Sequence, residues 1–169
     1  MSVEIDNVGE DEKRPSFLTA ICVLSFITIG SNLIFGFIGL FSGPQSDEEL
    51  LQAKVDLAKT SSELKTAGLE SWVDVLDQLD RMTLEINDSF YLASILGLIV
   101  ALIGLFGVLK MWQGMKMGFH LYIIYSLISV VSVYLYVSPA NIPSFVIIFN
   151  LLISGLFIFM YSRNLHWMK

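Results

Sequence analysis

The chain has 169 residues, 54% of them apolar and 15% charged, with a net charge of −6. Its mean hydropathy of +0.68 lies above that of an ordinary soluble domain, and the negative balance argues against any general affinity for nucleic acid. A single cysteine, Cys22, excludes an intramolecular disulfide.

Residues 1–15 open the chain as a polar stretch carrying Glu4, Asp6, Glu10, Asp11 and Glu12. It is too short and too charged to bury a core, so it is expected to be a disordered tail. An uncharged apolar run, Ser16–Phe41, follows directly on Lys13, Arg14 and Pro15. It is longer than the apolar region of a secretory signal peptide, and no small-x-small cleavage site follows it. A retained membrane-spanning helix is the expectation. Three more such runs occur at Phe90–Leu109, Met117–Val137 and Pro143–Tyr161. Each is long enough to cross a hydrocarbon core of roughly 30 Å as a helix. Lipid offers backbone groups no partners, and the runs are too continuously apolar for barrel strands.

Between the first two spans lies a soluble insert, residues 43–89. Gly43-Pro44 ends the first helix. Ser46 then precedes Asp47, Glu48 and Glu49, a capping-box pattern with acids in the first turn. Leu51, Val55 and Ala58 recur at helical spacing, predicting a short amphipathic helix over Asp47–Lys59. Thr60, Ser61, Ser62 and Gly68 are expected to loosen the middle. From Leu69 a second amphipathic helix begins, with Trp72, Val73, Leu76, Leu79, Thr83 and Ile86 on one face. Its other face carries Glu70, Asp74, Asp77, Arg81, Glu85 and Asp88. No proline or glycine separates this helix from Phe90, so it can run on into the second span. Eleven acids against four bases leave the insert at −7. Glu70, Asp74, Asp77, Glu85 and Asp88 therefore form a candidate acidic outer face. It reads either as a solvated surface or as a site for a cation or a basic partner.

The remaining connections are short: KMWQGMK at 110–116 and SPANIP at 138–143. Short loops make neighbours antiparallel. The expected fold is all-α: an up-down four-transmembrane-helix bundle, residues 16–169, with an acidic helical-hairpin insert between spans one and two. Basic residues crowd one set of span ends (Lys13, Arg14, Lys110, Lys116, Arg163, Lys169) and are sparse in the insert (Lys54, Lys59, Lys65, Arg81). This places both termini in the cytoplasm and the insert outside. Trp112, Tyr161 and Trp167 fit an inner aromatic belt; Tyr91, Tyr134 and Tyr136 fit an outer one.

Each span carries small and polar residues at helical steps. Span one has Cys22, Ser25, Asn32, Gly36 and Gly39, with Thr28 one turn before Asn32. Span two has Ala93, Gly97, Ala101 and Gly104. Span three has Gly118, Tyr122, Ser126, Ser129, Ser132 and Tyr136; span four has Asn150 and Ser154. Such stripes let helices pack closely and bond across the contact. The alternative is a polar pathway whose best members are Asn32, Asn150, Tyr122 and Ser129. Ser25, Gly36, Gly39, Gly97 and Ala101 complete the candidate packing or pathway set.

No Asp, Glu, Lys or Arg lies within a span, so no carboxylate relay or voltage-sensing stripe is present. His120 and His166 fall near the inner span ends without cysteine or carboxylate companions, a poor metal set. No deep histidine, paired cysteines or phosphate-binding glycine loop supplies catalytic groups. No cofactor is expected, and the chain reads as a non-enzyme. Membrane lipid and a protein partner or second copy are the expected associates. The expected role is an accessory or scaffold subunit, with an oligomeric channel or transporter component as the alternative.

Three segments, KRPSFLTAICVLSFI at 13–27, KMGFHLYIIYSL at 116–127 and FIFMYSRNLHWMK at 157–169, resemble a family of small bacterial four-helix membrane proteins of unassigned function. These begin the first span with a basic-Arg-Pro-x-Phe-Leu-Thr motif and end in a short basic tail. The resemblance implies the fold and an inner-membrane location, and no activity or site residues.

Overall fold

The computed structural model describes residues 14–169. The expected disordered tail lies outside them except for Arg14 and Pro15, which are anchored as described below. Six α-helices follow in order: α1 (Ser16–Ser42), α2 (Asp47–Thr66), α3 (Glu70–Asp88), α4 (Phe90–Trp112), α5 (Lys116–Val131) and α6 (Ser144–Ser162). Two 3-10 turns, Ser132–Leu135 and Pro139–Asn141, join α5 to α6. Four segments are long and apolar enough to cross a membrane: α1, α4, residues 116–135 and α6. These match the four apolar runs, with α4 extended through Trp112.

α2 is longer than its apolar spacing predicts. Thr60 and Ser62 do not loosen it, because their hydroxyls turn back onto the helix, donating to the carbonyls of Asp56 at 3.0 Å and Lys59 at 2.7 Å. That local bonding satisfies the hydroxyls without breaking the backbone ladder. The N-terminus carries the expected capping box: Ser46 N–H donates to Glu49 Oε2 at 2.8 Å, and Ser46 Oγ accepts from Glu49 N–H. Gly68, at φ +75°, stops the helix, with Leu69 N–H reaching back to the Leu64 carbonyl. Gly114, at φ +78°, ends α4 by the same device, with Met115 N–H on the Lys110 carbonyl.

α3 and α4 form a nearly continuous rod. Ser89 alone interrupts it (φ −102°, ψ 22°), and its N–H and C=O keep helical bonds to Glu85 and Ala93. α3 packs on α2 through Val73, its one buried side chain. Hydrogen bonds fasten the insert to the 138–141 turn and close its two ends on each other. Glu85 accepts from Ser138 N–H at 2.6 Å and from Asn141 Nδ2 at 2.8 Å, while Arg81 Nε donates to Asn141 Oδ1 at 2.9 Å. Asn87 exchanges two hydrogen bonds with the Gln45 backbone.

Within the apolar bundle α4 packs between α1 and α5, and α6 lies mainly against α5. The α4–α5 contact is a close backbone approach at Gly107 and Gly118, both buried. The buried stripe of α1 is Leu18, Ile21, Cys22, Ser25, Ile29 and Leu33. It coincides with the small-residue stripe only over the first half of the helix. Beyond Ser25 the two diverge, and Asn32 turns out of the packed core.

At the opposite end from the insert, Arg14 donates to the Trp112 carbonyl at 2.7 Å and lies 3.8 Å over the Trp112 ring. Lys169 and Lys116 complete this end: Lys169 N–H donates to the Gly114 carbonyl at 2.7 Å and Lys116 N–H to the Lys169 carbonyl at 2.9 Å.

Candidate functional site

Lipid-crossing helices expose apolar side chains all round, so polar groups that gather at one depth stand out. A cavity of about 340 Å³ lies between α1, α5 and α6. α1 contributes Leu24, Ser25, Thr28, Ile29 and Asn32. α5 contributes Tyr122, Tyr125, Ser126 and Ser129, and α6 contributes Asn150, Ile153, Ser154 and Phe157. A second cavity of about 360 Å³ lies between α1, α4 and the end of α5, lined by Asn32, Gly36, Gly97, Ala101, Ser129 and Tyr136 among others. Asn32, Tyr125 and Ser129 line both.

The first cavity sits at mid-depth. Ser126 and Tyr125 are at the midpoint of the 116–135 span, and Asn150 and Ser154 are within a turn of the midpoint of α6. Asn32 is about 5 Å along the axis from the middle of α1, from the rise per residue. Its mouth is exposed at Leu24, Asn150 and Ile153.

The floor is a network of tyrosines. Tyr161 is fully buried, and its hydroxyl is shared between Ser25 Oγ at 2.8 Å and the Ile21 carbonyl at 3.2 Å. The Tyr122 ring lies tilted against its neighbours, its centroid 4.9 Å from that of Tyr161 and 5.4 Å from that of Tyr125. Asn150 Nδ2 turns back to the Val146 carbonyl and Thr28 Oγ1 to the Leu24 carbonyl. Ser126 is different. It is 3% exposed, lines the cavity, and its Oγ has no hydrogen-bond partner. A helical serine ordinarily satisfies itself on the carbonyl four residues back.

Of the candidates read from sequence, Ser25, Asn32, Tyr122, Ser129 and Asn150 meet in the first cavity, and Gly36, Gly97 and Ala101 join Asn32 and Ser129 in the second. Gly36 also takes part in packing, since a Cβ there would stand 2.9 Å from Leu98 Cδ2. Gly39 faces open space and lines neither cavity. Tyr125, Phe157 and Tyr161 carry no sequence signal that sets them apart from lipid-facing or belt aromatics. The placement of Tyr161 in an inner belt is corrected: its ring is buried and its hydroxyl points to Ser25.

The acidic residues do not converge. Glu70, Asp74 and Asp88 are exposed along α3. Asp77 and Asp80 border a groove between α2 and α3 that also holds Lys54 and Lys65. Glu85 is taken up by Ser138 and Asn141. Among the described residues no three His, Cys, Asp or Glu side chains are grouped so as to hold a metal ion.

These features define a helical, multi-pass membrane protein with a polar cavity at mid-depth. No family model, curated protein or solved structure matches the chain.

Proposed function

We propose that the chain is a non-enzymatic subunit of the cytoplasmic membrane that works by association with a protein partner or a second copy. In this reading an up-down bundle holds residues 14–15 and the end of α6 inside, and the α2–α3 hairpin outside. The bias of basic residues towards the Arg14 end supports that orientation, and the likeness of 13–27, 116–127 and 157–169 to bacterial four-helix proteins supports the inner membrane.

One observation carries the reading. α2 is 20 residues long and has no buried residue, while Leu51 is 64% and Val55 57% exposed. An isolated helix of this length is marginal in water, and helices in proteins ordinarily gain their stability by burying a face. A capped, solvent-held helix with an apolar stripe is suited to meeting a partner. The test is the mass of the full chain purified in mild detergent. The wild type is expected as a defined oligomer or heteromeric complex, and a Leu51→Asp, Val55→Asp double variant as a monomer with unchanged helicity. A monomeric wild type with nothing bound overturns the proposal.

A second reading, an oligomeric channel or transporter component, draws on the two adjoining cavities that share Asn32 and Ser129. It requires cation flux in liposomes that falls when Asp74 and Asp77 on the acidic face are neutralised.

A further inference from the structure

We infer that the mid-depth cavity between α1, α5 and α6 is a binding site for an uncharged, lipid-soluble molecule whose head carries carbonyl or hydroxyl oxygens. The inference starts from the Ser126 hydroxyl, which is 97% buried, lines the cavity and has no partner. Asn32 adds a carboxamide that makes no hydrogen bond with any described residue. A buried polar group left unpaired is costly, and acyl chains at this depth cannot pair it. The buried Ser126 hydroxyl on α5, faced across the cavity by the exposed, unbonded Asn32 carboxamide on α1, points to an occupant that brings the missing partners.

The lining narrows the chemistry of that occupant. It offers hydroxyls, carboxamides and the rings of Tyr122 and Tyr125, and no charged side chain. A phosphate or ammonium group would lose its hydration with no counter-charge to replace it. A neutral head with oxygen atoms pays no such cost, and it can both accept from Ser126 and Asn32 and stack against the tyrosines. Size agrees: about 340 Å³ falls at the small end of ligand sites. So does the route of entry. The mouth lies between the exposed apolar side chains of Leu24 and Ile153, midway along the spans, where it opens on acyl chains.

The chemistry is shared by a ring carbonyl, as in a quinone, and by a glycerol hydroxyl flanked by esters, as in a diacylglycerol. The experiment separates them. The full chain in mild detergent is incubated with decylubiquinone in one arm and dioleoylglycerol in the other, and adducts are counted by native mass spectrometry. One adduct per chain is expected from at least one probe, and the arm that gives it identifies the head. Asn32→Leu and Ser126→Ala are each expected to weaken it about tenfold, the value of one hydrogen bond to a buried group. Gly155→Ala, on α6 with nothing within 4 Å of the added methyl and outside the lining, is expected to leave it unchanged. No adduct from either probe, or adducts that survive both Asn32→Leu and Ser126→Ala, overturns the inference. Neither result bears on the mass of the particle, which tests association through α2 separately.

Discussion

Gly118 stands against the backbone of Gly107. A Cβ added at Gly118 would lie 2.5 Å from the Gly107 carbonyl oxygen and closer still to the Met111 nitrogen. Both obstacles are main chain of α4, so neither can swing aside as a side chain could. Gly118→Ala is therefore expected to force α4 and α5 apart and destabilise the bundle by about 1–3 kcal/mol, as overpacking does. Thermal unfolding in detergent checks it. Gly39→Ala meets nothing within 4 Å and is expected to stay within about 0.5 kcal/mol of wild type. Equal effects of the two would show that the α4–α5 approach does not govern stability.

Arg14 is held from two sides at this same end of the bundle. Its guanidinium donates to the Trp112 carbonyl and stacks on the Trp112 ring, with the Trp167 ring 6.0 Å away. Lysine keeps the charge but loses the planar stack and the fork of donors. Arg14→Lys is expected to cost about 0.5–2 kcal/mol and to shift tryptophan emission. Unfolding followed by that emission measures both. An unchanged midpoint would mean that the basic residue serves orientation in the membrane alone.

The spans were legible because lipid demands it: a helix bathed in acyl chains must be apolar for its whole length. The same demand hides which helix faces which. Phe35 at 71% and Leu152 at 65% exposure are as apolar as buried Ile29 or Val108, so no periodic pattern marks the inward face. Asn32, Tyr122, Ser129 and Asn150 could be picked out because polar residues are rare in such runs. That they share one cavity depends on helix rotation, which composition does not encode. Tyr161 reads as a belt residue from its place at the end of a run, and only packing turns it inward onto Ser25. In the insert, the capping box at Ser46 and Glu49 was readable because it is local. The continuation of α2 through Thr60 and Ser62 was not, because their back-bonding to Asp56 and Lys59 is a rotamer choice.

Glu85 fastens the insert to the 138–142 turn with both carboxylate oxygens. Charged acceptors make the stronger hydrogen bonds, about 1.5–3 kcal/mol each. Glu85→Ala is expected to free that end of α3 and to speed hydrogen exchange of the Ser138 amide by tenfold or more, about 1.4 kcal/mol or above. Glu85→Gln keeps an acceptor for one of the two bonds and is expected to fall between. Asp74→Ala, on the exposed part of the same helix, is the control. Exchange at Ser138 that ignores all three variants would show that the turn holds its shape without the insert.

The capping box gives α2 a pH dependence whose sign follows from Glu49. The Ser46 backbone N–H, and after it the Ser46 hydroxyl, hold the Glu49 carboxyl below the usual glutamate range. A carboxyl whose folded value is depressed adds stability above its unfolded value and loses it as pH falls through the folded one. The first turn of α2 is therefore expected to be fully capped at neutral pH and to fray below the ordinary glutamate range. Protection of the amides of residues 47–50 against hydrogen exchange, followed from pH 7 downwards, reads this directly. Glu49→Gln can still bond back to Ser46 N–H but does not titrate, so its protection is expected to stay flat over the same window. A wild-type profile as flat as that of the glutamine variant would remove Glu49 as the titrating cap and leave the three acids Asp47, Glu48 and Glu49 acting only through the helix dipole.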